Sequence, residues 1–329
     1  MRFAFTDDQL TFRDTVRDFL AAECPPSLVR SEATTRGDAW RALWGKLAEM
    51  GVVGLTAPES RGGLGMGPLD LVLLLEETGR AAMPGPIVET TAVALPLLGD
   101  GDWAARAATS DAIVSVGLDG SPFTPFGGDA DALLLVWGDD VLLVERDAFR
   151  AQPVDSVDGL RRLASIDWDP ASSARIAGSD ALADARARGA VATAAQLCGV
   201  AAQLIDITVE YAKERRQFGV PIGTFQAVKH HCANAMLKLE YARPVVYRAA
   251  YSIEHGDPSR AVHASMAKAY ASDAGEVAAR VALQVHGAIG YTAEHDMQLW
   301  MKRVWALSRA WGDAAWHREQ VARAVLDPS

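Results

Sequence analysis

Tyr211-Ala212-Lys213-Glu214-Arg215-Arg216-Gln217-Phe218-Gly219-Val220-Pro221-Ile222-Gly223-Thr224-Phe225-Gln226 is the most informative stretch of the chain. Upstream of it, Leu197, Ala201, Leu204, Thr208 and Tyr211 fall on one face of a helix. Downstream, a second helix opens at Gln226. One helix ends, a cationic pair and an aromatic residue follow, glycines turn the chain, and a new helix starts. A guanidinium offers a planar fork to phosphate oxygens, and a neighbouring ring can cover a flat base. By composition alone the stretch reads as a surface turn or as a phosphate-holding site.

Working outward, the helix from Gln226 extends to about His255. A third has Asp257 as its N-cap and Pro258 in its first turn, and runs to about Val285, where Gly287 and Gly290 end it. Ala264, Ala267, Ala271, Ala274 and Ala278 give it a face that lets another helix approach closely. Helices of about 28 residues, roughly 40 Å each at 1.5 Å per residue, predict a four-helix bundle over 183–329. Gln284-Val285-His286-Gly287-Ala288-Ile289-Gly290-Tyr291 reads as a glycine C-cap or as backbone placed to approach an anion. Trp300, Trp305, Trp311 and Trp316 read as packing or interface residues.

Toward the N-terminus, residues 1–97 predict a helical domain. Thr6-Asp7-Asp8-Gln9 has the form of a capping box, and Trp40, Leu43, Trp44 and Leu47 recur at helical spacing. A Gly-rich break from Pro58 to Gly67 precedes a third helix, about 69–78. Residues 98–172 change character: Ala112–Val116, Ala132–Trp137 and Val141–Glu145 read as short strands. Gly138-Asp139-Asp140 is a hairpin turn and Leu118–Asp131 a loop. The fold class expected is mainly α with a small β middle domain.

The chain has 329 residues with 42 Asp+Glu against 32 Lys+Arg, a formal charge of −10. Half of its residues are hydrophobic, ample for a core, which excludes a disordered chain. The acidic balance argues against a nucleic-acid partner, which needs a basic face. Cys24, Cys198 and Cys232 are odd in number and far apart, so they fit neither a disulfide framework nor a zinc site; a cytoplasmic location is expected. No His, Cys and carboxylate cluster has metal spacing, so no metal is expected. The uninterrupted apolar runs are short for a membrane helix, so no membrane partner is expected.

Taken together, the Arg-x-x-Phe-Gly segment before a Phe-Gln helix start, the Gln-x-His-Gly-x-x-Gly-Tyr turn and the first-block pattern resemble the acyl-CoA dehydrogenase family. That pattern runs Leu47-Ala48-Glu49-Met50-Gly51, Pro58-Glu59, Gly62-Gly63-Leu64-Gly65, Asp70 and Glu76-Glu77-Thr78-Gly79-Arg80. The resemblance covers nearly the whole chain. It implies an N-terminal helical domain, a β domain and a C-terminal four-helix bundle. It also implies FAD and an acyl-CoA thioester desaturated between its α and β carbons, with electrons passed to an electron-transfer flavoprotein. Arg215, Phe218 and Gln226, with Gln284, Gly287 and Gly290, match residues that hold the pyrophosphate and adenosine end of the neighbouring subunit's FAD.

The departures are equally specific. Trp311 stands where the family's catalytic glutamate usually lies, and Gly189 stands at the alternative base position. Neither takes up a proton; Asp313 is the fallback base. No counterpart of the family's flavin-cradling segments is found between Leu118 and Val144. The resemblance thus implies one subunit of a heteromer, an α2β2 tetramer in which a longer dehydrogenase chain provides base and flavin cradle. The short, base-less chain is similar to the second subunit of actinobacterial heteromeric enzymes acting on steroid side-chain CoA thioesters. The alternatives are a self-sufficient homomeric dehydrogenase using Asp313, or a cofactor-free structural or acyl-binding homologue.

Overall fold

The computed structural model describes residues 4–326. Six helices open the chain: α1 (Asp7–Glu23), α2 (Pro26–Thr35), α3 (Ala39–Glu49), α4 (Pro68–Arg80), α5 (Leu95–Leu98) and α6 (Asp102–Ala108), with a π-helical turn, Val88–Ala94, leading into α5. The Thr6–Gln9 capping box forms as expected: the Thr6 hydroxyl accepts the Gln9 N–H and the Gln9 side chain accepts the Thr6 N–H. Helices α2, α5 and α6 were not expected. Each is short and lacks a clear apolar period.

The middle of the chain supplies β1 (Val114–Gly117), β2 (Ala132–Trp137), β3 (Asp140–Glu145), β4 (Phe149–Pro153), β5 (Ala164–Trp168) and β6 (Ala174–Ala177). Strands β1-β2-β3-β6 form one sheet in that order, and β4 pairs with β5 in a second. The expected hairpin is present, with Trp137 opposite Asp140 and Gly138 in the left-handed conformation that a two-residue turn needs. Strands β4, β5 and β6 lie outside the sequence-based expectation, because polar residues interrupt their pattern.

The bundle consists of α7 (Ser179–Glu214), α8 (Gln226–Glu254), α9 (Arg260–His286), α10 (Met297–Leu307) and α11 (Ala314–Leu326), with a two-residue hairpin, β7 (Arg216–Gln217) and β8 (Val220–Pro221), between α7 and α8. Helix α9 starts later than expected. Asp257 is not its N-cap: the carboxylate accepts the Ser259 N–H and pairs with Arg248, closing a turn before the helix. Helix α7 also corrects the hydropathy reading. It is long and apolar enough to cross a membrane, yet 83% of its apolar window is buried inside the fold, as in the core helix of a globular bundle.

That burial is possible because α4 and α7 touch backbone to backbone. A Cβ on Gly199 would lie 1.8 Å from the Glu76 carbonyl oxygen, and one on Gly79 would lie 2.2 Å from that of Gln196. Glycine at both positions is a condition of this crossing. The carboxylates that α4 buries are paired. Glu77 receives Arg17 through two nitrogens at 2.9 and 2.6 Å. Glu76 receives Arg243 and the Tyr247 hydroxyl, each at 2.8 Å. A buried charge without such partners would cost several kcal/mol.

Candidate functional site

At the α7–α8 end of the bundle, Arg215 caps α7 and Phe218 sits at the tip of the β7–β8 hairpin. Phe218 is 92% exposed and adopts φ +54°. A large aromatic side chain placed in water on a left-handed backbone is costly twice over, which marks the tip as shaped for a ligand or a partner. Lys213 pairs with Glu210, whereas Arg215 and Arg216 have no ion-pair partner among the described residues. Gln226 opens α8 and is exposed.

The α9 turn lies at the same end. Gln284 and Gly287 are exposed. Gly287 has φ +63°, with open space where a side chain would point. Gly290 is buried, and a Cβ there would press on Met297 Cε at 3.0 Å. Tyr211, one turn before Arg215, stacks on His286, one residue before Gly287, with ring centroids 4.2 Å apart. The six residues assigned from the sequence to cofactor binding therefore gather at one end of the bundle. Unpaired guanidinium, exposed ring and open glycine backbone together fit a nucleotide pyrophosphate and base presented from outside the chain.

Gly189 and Trp311 lie elsewhere, about 40 Å along α7 from Arg215 at 1.5 Å per residue. The structure brings these two together. A Cβ on Gly189 would meet the Trp311 ring at 2.5 Å from Cδ2 and Cε2. The buried indole has no partner for Nε1, and the residue sits at φ +59° next to Gly312 at φ +93°. Three groups hold this turn, and sequence reasoning found none of them. Lys268 donates to the Gly312 and Ser308 carbonyls at 2.9 and 3.2 Å. His317 Nε2 donates to the Trp311 carbonyl at 2.9 Å, because a carbonyl only accepts. The Trp311 N–H points to Asp119 Oδ2 at 3.4 Å. No spacing rule links residues so distant in sequence.

A cleft of about 930 Å³ opens above this turn, with Ala187 and Ala190 of α7, Ala261 and Ala264 of α9, Trp316 and Arg323 of α11, and Asp119 among its lining residues. Asp313 is also on its wall, but its carboxylate is engaged. It accepts the Trp316 N–H at 2.8 Å and pairs with Arg309 at 3.1 Å. The hydrogen bond from Trp316 holds it below the usual carboxylate range, the wrong direction for a base near neutral pH. Between α4, α7 and the π-helical turn one cavity measures about 20 Å³, and another beside Val88, Thr193 and Leu307 about 10 Å³, each with room for a single water at most. Arg303–Asp158 at 2.6 Å and Arg161–Glu89 at 3.7 Å occupy that interior. The 118–144 stretch serves packing: Phe126 meets Trp40 edge-on at 5.2 Å.

Lys268 is fully buried with no ion-pair partner among the described residues, and burial pushes its pKa from 10.5 down to about 7. An amine whose folded pKa is lowered binds fewer protons folded than unfolded, so stability is lost as the pH falls from 10.5 toward 7. Wild-type unfolding free energy is expected to rise by a few kcal/mol from about pH 7 to 10 relative to Lys268→Met. Urea titrations of the two proteins across that range would show it. Parallel pH curves would exclude a lowered pKa at Lys268.

The helical domains, the small sheet region and the bundle are those of an acyl-CoA dehydrogenase, and the chain belongs to that family. Residues 6–115 match its N-terminal domain and residues 177–326 its C-terminal domain. Among its relatives, acyl-CoA dehydrogenase IpdE2 of Mycolicibacterium smegmatis is 33% identical over 324 residues, covering 97% of this chain and 98% of that protein. Acyl-CoA dehydrogenase FadE34 of Mycobacterium tuberculosis is 32% identical, with the match covering 91% of this chain and 45% of FadE34. A chain of the ChsE4-ChsE5 complex from Mycobacterium tuberculosis superposes with a TM-score of 0.91 at 25% identity, covering 100% of both chains.

Proposed function

We propose that this chain is the non-catalytic subunit of a heteromeric acyl-CoA dehydrogenase. In that assembly it completes the FAD site of a longer partner that carries the base. The observation that carries the reading is the contrast between its two ends. At the positions that the resemblance assigns to the base, the Trp311 ring fills the space against Gly189. At the reach-across end, Arg215, Phe218, Gln226, Gln284 and Gly287 stand exposed, and Arg215 has no ion-pair partner among the described residues.

Arg215 would hold the pyrophosphate through its fork, Phe218 would cover the adenine, and the Gln284–Gly290 turn would close on the same end with backbone N–H groups. When bound, FAD supplies the hydride acceptor for α,β-desaturation of the acyl-CoA. This chain's residues bind and orient the nucleotide end and take no proton. Electrons then leave to an electron-transfer flavoprotein. Two facts about relatives support a two-chain assembly. One structural neighbour was solved as a complex of two named chains. In FadE34, the match leaves more than half of the protein over, enough for a second chain of dehydrogenase size.

Purification alone and with a co-expressed partner tests the reading. The expected product is a complex with one FAD per pair of unlike chains, two per α2β2 tetramer, measured by native mass and flavin absorbance. The chain alone is expected to be colourless and inactive. One FAD for every chain, or an active homo-oligomer of this chain, would sink it.

A further inference from the structure

The Arg215 hairpin and the Gln284–Gly290 turn are joined by one aromatic bridge centred on the buried His286. Tyr211 stacks on His286 with planes 20° apart, and His295 meets His286 edge-on at 4.8 Å. His286 Nδ1 lies 2.8 Å from the Ala282 carbonyl and so carries the proton. Nε2 is therefore a bare lone pair, buried and without a partner. His295 is oriented by accepting the Met297 N–H on Nδ1 at 3.2 Å. From α2, Arg30 clamps the loop behind it, donating to the Ala293 and Glu294 carbonyls at 2.5 and 2.8 Å and to Asp296 at 3.0 Å. His286 is 4% exposed, so it acts through its neighbours.

We infer that His286 is a positioning residue: its neutral imidazole, stacked on Tyr211, fixes the spacing between the two segments that grip the nucleotide. The inference rests on the reading that those segments hold one end of FAD. Protonation would place a second N–H on Nε2, where no acceptor stands. The groups facing it give the new charge little relief. Tyr211 from α7 presents only its ring face to the imidazole. His295, its Nδ1 accepting from Met297, offers no negative charge, and the Asp296 carboxylate is already taken by Arg30. Burial accordingly holds His286 below the ordinary imidazole range. An imidazole of this kind is neutral above about pH 6.5, and the cost of charging it grows as the pH falls below that value. The bridge therefore loosens in acid, and the grip on the nucleotide weakens with it.

The test uses the co-purified heteromer. FAD affinity is expected to fall several-fold between about pH 7 and pH 5 in the wild type. His286→Phe keeps a stacked ring without a titrating nitrogen, so its affinity should stay flat over that range. His286→Ala should bind about tenfold more weakly at every pH, an effect of lost stacking. A second readout needs no flavin: hydrogen-exchange protection factors at residues 287–291, taken against the intrinsic rate at each pH, should fall in acid in the wild type and not in His286→Phe. Equal pH slopes in wild type and His286→Phe, by either readout, overturn the inference. If Arg215→Ala leaves FAD binding unchanged, the FAD reading fails instead, while the exchange measurement still decides the bridge.

Discussion

Arg215→Ala is expected to empty the co-purified complex of FAD while leaving its fold intact. Two features make the effect both large and selective. The guanidinium is exposed and has no ion-pair partner among the described residues, so no internal contact is lost with it. Arg215 backbone groups stay in place, the N–H on Tyr211 and the carbonyl accepting from Ile222, so the hairpin keeps its shape. A hydrogen bond to a charged group contributes about 1.5–3 kcal/mol. Loss of a forked contact to pyrophosphate should therefore weaken FAD binding on the order of 10- to 100-fold. Arg215→Lys should recover little, because an ammonium does not reproduce the planar fork. Flavin retained through gel filtration, read beside thermal unfolding, measures both halves. Full flavin occupancy in the alanine variant would show that this end does not hold the nucleotide.

The long bundle helices, the β2–β3 hairpin and the Thr6 capping box were legible because each rests on local rules. Those rules are a repeated apolar spacing, a glycine in a two-residue turn, and a hydroxyl three residues from a glutamine. The two turns at the α7–α8 and α9 ends were legible for a different reason: glycine and charge concentrate in two short segments, while the role given to their residues came from the family resemblance. What escaped was non-local. Lys268, His317 and Asp119 meet around Trp311 from α9, α11 and the loop after β1, and no periodicity foretells that meeting. His286 and Tyr211 lay inside recognised segments, yet their stacking is set by how α7 and α9 end side by side. Strands β4, β5 and β6 escaped because half-exposed edge strands show weak alternation. Asp257 failed as an N-cap because its carboxylate found Ser259 and Arg248 first, a local competition that composition alone does not rank.

Gly189→Ala is expected to destabilise the chain by roughly 1–3 kcal/mol, toward the upper end of what overpacking costs. In the middle of a long helix this substitution ordinarily stabilises, by about 0.5–1 kcal/mol, so the predicted sign is itself diagnostic. The new methyl would stand 2.5 Å from the Trp311 ring. The ring has little freedom to retreat, since the Trp311 carbonyl is held by His317 and the next carbonyl by Lys268. Trp311→Ala should cost about 3–5 kcal/mol through the cavity it leaves. In that background Gly189→Ala should cost nothing or stabilise, because the obstructing ring is gone. A double-mutant cycle by urea unfolding reads the coupling directly. An unchanged cost in both backgrounds would mean that the ring does not police position 189. If the coupling is as expected, the two positions at which the resemblance places a base form one contact in this chain. A carboxylate at 189 would have to enter the space the indole holds, so Gly189→Glu with Trp311 intact should fail to fold. A carboxylate could be accommodated there only through two changes made together.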